Sequence, residues 1–126
     1  MTYIRQSPYK ETFQKDLYVK KKFTISNSNT PWVPKIDIVL NKIVCELKDT
    51  ATGTGNTILR FYKNFGASSQ AIIFDAVFAA NDVSQETSTI FSFAISAGDE
   101  ITYSIVSTTS NDPGGEAIIS FLYQNS

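Results

Sequence analysis

The chain has 126 residues, 42% of them apolar and 13% aromatic, with nine Phe and six Tyr. That is enough for one domain with a core that needs no metal or disulfide to fold. The formal net charge is −1, with no histidine and one cysteine. These counts exclude Ser-His-Asp chemistry, imidazole acid–base catalysis, histidine metal sites and an internal disulfide.

The charge is laid out unevenly. Residues 1–35 carry seven basic and two acidic side chains, and residues 36–126 carry four and ten. The pattern reads as a basic arm on an acidic body. No run of about 18 apolar residues is present, so no transmembrane helix is expected. The opening MTYIRQSPYKETF lacks the apolar stretch of a signal peptide.

In chain order, residues 1–16 show no clear period. SPYKETFQKD offers at most one helical turn, with Ser7 as cap and Pro8 in the first position. LYVKKKFTI (17–25) alternates: Leu17, Val19, Phe23 and Ile25 fall on one face, and Lys21 interrupts the set. SNSNTP (26–31) is a loop by composition. Trp32 follows between prolines in TPWVP, either as a rim residue plugging the end of the fold or as a stacking surface for a sugar.

KIDIVLNKIVCELK (35–48) changes parity. Ile36, Ile38 and Leu40 are even, whereas Ile43, Cys45 and Leu47 are odd. Either a β-bulge near Asn41–Lys42 or a tight hairpin restores a common face. Cys45 then sits with Ile43 and Leu47 as a small buried hydrophobe. DTATGTGN (49–56) is a turn. Its glycines precede neither a lysine nor a helix, so a phosphate cradle is excluded.

ILRFYKN (58–64) and QAIIFDAVFAA (70–80) are strands, and NDVSQET (81–87) reads as polar loop. Three alternating runs close the chain: Phe91, Phe93 and Ile95; Ile101, Tyr103 and Ile105; Ala117, Ile119, Phe121 and Tyr123. Period two marks half-buried strands. AGDE and NDPGG between them are turns, with Gly98 and Gly114 expected at positive φ. The paired acids Asp99–Glu100 and Asp112…Glu116 have no supporting pattern for calcium or glycoside hydrolysis.

Two strands are apolar on both faces. Ile73 and Val77 oppose Ile72, Phe74 and Phe78; Ile118 and Leu122 oppose Ile119, Phe121 and Tyr123. Such strands are covered on both sides, by a loop or by another subunit. The run Lys20, Lys21, Lys22 is a solvated strand face or a docking site for an acidic protein surface; on an acidic body it is thin evidence for nucleic acid.

AISAGDEITYSI followed by a glycine loop and AIISFLYQNS resembles the end of the trimeric jelly rolls of the complement and tumour-necrosis-factor globular-head superfamily. ILRFYKN-FG before AIIF resembles the hairpin of phage virion jelly-roll proteins: head fibres, tail fibres and decoration proteins. Together the likeness covers about residues 56–126. It implies a virion protein assembled in the host cytoplasm, self-associating as a homotrimer with its last strand near the axis.

The expected fold is all-β: an antiparallel two-sheet β-sandwich or jelly roll of about eight strands. Residues 1–16 are expected as an N-terminal arm and 17–126 as the sandwich. The expected function is non-enzymatic: structural self-assembly and attachment to a particle, or alternatively carbohydrate or receptor binding. Ile73, Val77, Ile118, Leu122 and Tyr123 are the candidate oligomer interface, Lys20, Lys21 and Lys22 the candidate attachment residues, and Trp32 the candidate ligand contact. Other virion proteins and a host surface glycan are the expected partners beside the chain itself. No cofactor, metal, nucleic acid or membrane is expected.

Overall fold

The computed structural model describes residues 11–20, 23, 32–53, 55–88, 91–107 and 114–126. They form eight strands and no helix: β1 (Phe13–Tyr18), β2 (Ile38–Asp49), β3 (Thr57–Lys63), β4 (Ala71–Phe78), β5 (Ser84–Glu86), β6 (Phe93–Ile95), β7 (Ile101–Ser107) and β8 (Gly115–Asn125). Every pairing between them is antiparallel. One sheet runs β1-β8-β2-β5, with β6 also on β2; the other runs β4-β3-β7. The expected all-β sandwich is what the chain forms.

The long β2–β8 ladder is the spine of the first sheet. Its register shifts between Leu40 and Lys42, which is the bulge alternative of the parity switch. The extra residue lets Ile38, Leu40, Ile43, Cys45 and Leu47 all point inward and be buried. Facing them across the sandwich are Leu59, Phe61, Ala76, Phe78, Ile101, Tyr103 and Ile105, and beside them Ala117, Ile119 and Phe121. Phe61 packs edge-on to Phe121 at 5.8 Å and stacks with Phe74 at 6.2 Å, joining the two sheets through rings. Burial of Cys45 pushes its thiol far above the ordinary range, as expected for a thiol without a cationic or helix-terminal neighbour.

Residues 81–87, expected as loop, contain β5. Ser84–Glu86 pair with Val44–Glu46, and Phe93–Ile95 pair with Ile38–Leu40 on the same edge of β2. β5 and β6 are thus two pieces of one interrupted strand. Thr87 fastens the break: its N–H donates to Ile43 O, and its Oγ1 accepts from the Ile43 N–H. A polar three-residue strand with two exposed ends has no apolar alternation to announce it.

The sandwich also begins earlier than expected. β1 starts at Phe13, inside the segment read as an arm or a helical turn, and pairs with β8 from Phe13↔Tyr123 to Tyr18↔Ile118. Leu17, Val19 and Phe23 face the core, as the alternation from residue 17 implied. The rest of that reading, including Lys21, Lys22 and Ile25, lies outside the described residues, as do residues 1–10.

Gly98 and Gly114 hold positive φ, 89° and 85°, as the turn chemistry required. At Gly114 an added Cβ would also meet the Asp49 carbonyl oxygen at 2.5 Å.

Candidate functional site

The candidate interface residues do not share a face. Asp75 and Val77 of β4 lie opposite Arg60 and Ile58 of β3, on the outer side of the second sheet. Ile118 lies beside Tyr18 and Glu46, and Leu122 beside Gln14 and Lys42, on the outer side of the first. Val77 and the Ile118–Leu122 pair are therefore on opposite surfaces of the sandwich.

Ile73 is turned the other way from its expected position. The β3–β4 register shifts between Phe61 and Tyr62, which pair with Phe74 and Ile72. Ile73 is the extra residue. It is buried in the core, while Ile72, expected inward, is 51% exposed. Tyr123 is also on the inner side: it is half-buried and packs on Trp32 at 5.1 Å and Phe13 at 5.6 Å. What remains outward is Ile72, Val77 (38% exposed) and Val106 (37%) on one surface, and Tyr18 (61%) and Ile118 (44%) on the other.

The outer surface of the β4-β3-β7 sheet has a polar centre. Arg60 Nε donates to Asp75 Oδ1 at 2.8 Å and Nη2 to Oδ2 at 3.0 Å, a bidentate pair. Partly exposed, it contributes only about 0–1 kcal/mol, but its fork geometry fixes the β3–β4 register. In the neighbouring strand, Thr102 Oγ1 and Ser104 Oγ are buried with no hydrogen-bond partner among the described residues.

Trp32 borders a concavity at the end of the sandwich. It joins β7 through reciprocal main-chain bonds with Ile101, 2.9 and 2.8 Å long, and its ring lies 5.3 Å from Phe121. The following segment, 33–38, is tied down at several points. Gly98 N–H donates to Pro34 O, Ala97 N–H to Asp37 Oδ1, and Ser126 N–H to Asp37 O. Asp99, which closes the 96–99 turn by accepting from Ser96 N–H, also accepts from Asn64 Nδ2. These bonds hold its carboxyl below the usual carboxylate range, the Asn64 amide most of all.

Between this segment and β1 lies a groove of about 460 Å³ lined by Phe13, Trp32, Tyr123, Val33 and Ile36, with Lys15 and Lys35 as its charged residues. It sits at the seam between the sheets, where β1 edges one and Trp32 borders the other. Trp32 is thus both a plug against the core and a wall of a cavity, so the two readings of it meet at one position. Phe13, Lys15 and Lys35 were not singled out in the sequence; the alternation of Phe13, Lys15 and Leu17 was the available signal. Lys20 is exposed and lies elsewhere, by a smaller hollow with Tyr18, Lys48 and Ile118. Lys21 and Lys22 fall outside the described residues. Among the described residues no group of acidic side chains or cysteine could hold a metal, and no helix is long and apolar enough to cross a membrane.

No family model and no curated protein matches the sequence. Among solved structures, the Drosophila NLP core, described for pentamer formation and histone binding, is similar with a TM-score of 0.52 at 14% identity, covering 92% of this chain and 99% of that one. A subunit of the disulfide-linked pili of Bacillus endospore appendages is similar at 17% identity with a TM-score of 0.43, covering 100% and 99%. The first likeness shows a shared fold.

Proposed function

We propose that this chain is a non-enzymatic structural subunit that works by self-association. The observation that carries the reading is the pair of opposed outer surfaces, each bearing exposed aliphatic side chains: Ile72, Val77 and Val106 on one, Ile118 on the other. Aliphatic groups gathered on a sheet face are covered at low cost by another copy. The NLP core, a protein described as a pentamer, shares this sandwich, which supports the reading at the level of the fold. Residence in a phage particle and attachment through the basic N-terminal region are the specific form that the virion resemblance lends it.

Two different surfaces on each subunit suit a heterologous contact, which closes into a ring such as a trimer or continues as a filament. Copy number is read by light scattering across a concentration series. Assembly above the 14.0 kDa of one chain is expected, with Val77→Asp and Ile118→Asp each shifting the mass downward. A monomer persisting at high concentration overturns the proposal. Unchanged assembly in both variants places the interface away from these faces and removes its basis.

A further inference from the structure

The outer edge of β1 and the groove beside it belong together. Val19 N–H donates to Ala117 O at 2.8 Å, continuing the register in which Leu17 lies opposite Ile119. In an antiparallel ladder the residues bonded to the neighbour alternate with residues whose N–H and C=O point away. Phe13, Lys15 and Leu17 are therefore bonded to β8. Gln14, Asp16 and Tyr18 present their main-chain groups outward, where β1 has no further strand among the described residues. An edge of this kind is a template for one more strand.

The groove supplies what a main-chain edge lacks, a choice between partners. Its aromatic walls, Phe13, Trp32 and Tyr123, are preformed: Phe13 is stacked on Tyr123, and Trp32 is bonded to β7. Among the described residues Lys15 and Lys35 are its only charged lining residues, and no carboxylate lines it. An inward-pointing lysine on an edge strand opposes pairing with neutral or basic strands. An acidic strand relieves that opposition.

We infer that the β1 edge and its groove form a binding site for an extended acidic peptide, which adds as a strand outside β1, places an apolar or aromatic side chain between Phe13 and Trp32, and sets carboxylates against Lys15 and Lys35. The main chain supplies affinity and the groove supplies selection. The site is independent of the outer faces invoked for self-association, so either can fail alone.

The lone Trp32 reports the test. The full chain is titrated with a short peptide of alternating Glu and Ile around a central Phe, with its Lys-for-Glu counterpart, and with the acidic peptide N-methylated at alternate residues. A saturable emission shift is expected with the first alone. Gln14→Pro removes an outward N–H without touching the bonds to β8, a substitution edge strands accept; it should weaken binding about five- to ten-fold. Lys15→Glu with Lys35→Glu should transfer the preference to the lysine peptide. If Gln14→Pro fails to fold, the N-methylated peptide decides the main-chain question alone. Equal binding of the N-methylated peptide overturns strand addition. No preference between acidic and basic peptides overturns the charge assignment. A response to neutral oligosaccharides with none to peptides makes the groove a sugar site instead.

Discussion

β8 and β1 lie side by side in one sheet, yet their inner faces differ over most of their shared length. Ala117, Ile119 and Phe121 of β8 are almost wholly buried. Val19, Leu17 and Lys15 opposite them are half-buried or exposed. Both strands alternate and pair in register; among the described residues they differ in having one neighbour or two. With β1 on one side and β2 on the other, β8 has its main chain satisfied and its side chains enclosed. Among the described residues β1 has a neighbour on one side only, and that is where the chain keeps a lysine on an inward position. Enclosure separates a residue that holds the fold from one left available for binding.

The sharpest way to break the contrast is a matched pair of ring truncations. Phe121→Ala removes a fully enclosed ring that touches both Phe61 and Trp32. The expected loss is about 3–5 kcal/mol, from transfer and cavity together, with a red shift in Trp32 emission. Phe13→Ala removes a half-buried ring against Tyr123, and about 1–2 kcal/mol is expected, since much of the ring already meets water. Denaturant melts of the two variants give the comparison directly. Equal losses would mean that β1 is as much part of the core as β8.

A second pair concerns turns that look alike in sequence. Gly114 and Gly98 both have φ near +90°. An alanine at Gly98 meets no atom within 4 Å, whereas one at Gly114 presses on the main chain at Asp49 and Ala51. Gly98→Ala should cost about 1 kcal/mol, from conformation alone. Gly114→Ala should cost more, because main chain at the start of the β2–β8 ladder has to move. Thermal melts with Gly98→Ala as the more stable variant are the expected result; the reverse order would place the strain elsewhere.

Alternation made the inner faces of β2, β7 and β8 legible, because each carries apolar residues at period two. It failed at β4 for a definite reason. A bulge turns both Ile73 and Phe74 inward and leaves Ile72 outside, and nothing in AIIFDAVF marks where the extra residue falls. At β2 the parity change was visible because polar Asn41 and Lys42 interrupt the aliphatics. β5 was invisible because a polar edge strand has no period to show. The groove was legible only in Trp32. Its other parts, Phe13, Tyr123, Lys15 and Lys35, come from both ends of the described chain and meet only once the sheets close. Gly98 and Gly114 were the most secure local inferences, since positive φ is a demand of the turn rather than of the fold.

The smallest expected effect links acid stability to the groove wall. The Asp99 carboxylate accepts from the Asn64 amide and the Ser96 N–H, with Lys63 nearby, and these outweigh partial burial to lower its pKa. Asp16 on β1 is lowered too, chiefly by Gln14. A carboxyl with a depressed folded value stabilises the fold at pH above its unfolded value, about 4. That contribution fades as pH falls through the lower folded value. Both groups are in contact with solvent, so each share is small. They differ in what they hold: Asp99 closes the turn whose Ala97 and Gly98 N–H groups fasten Asp37 and Pro34, whereas Asp16, bonded to Gln14 and to Ser120 of β8, ties the edge strand to its neighbour. Asp99→Asn should therefore flatten the acid limb of the melting curve below pH of about 4 and also blunt the Trp32 response to acidic peptide, because the wall carrying Lys35 loosens. Asp16→Asn should flatten the same limb without loosening the 33–38 wall, so the Trp32 emission of the free protein stays as it is. If Asp99→Asn changes acid stability without touching the Trp32 response, the 33–38 wall is held by its main-chain bonds alone.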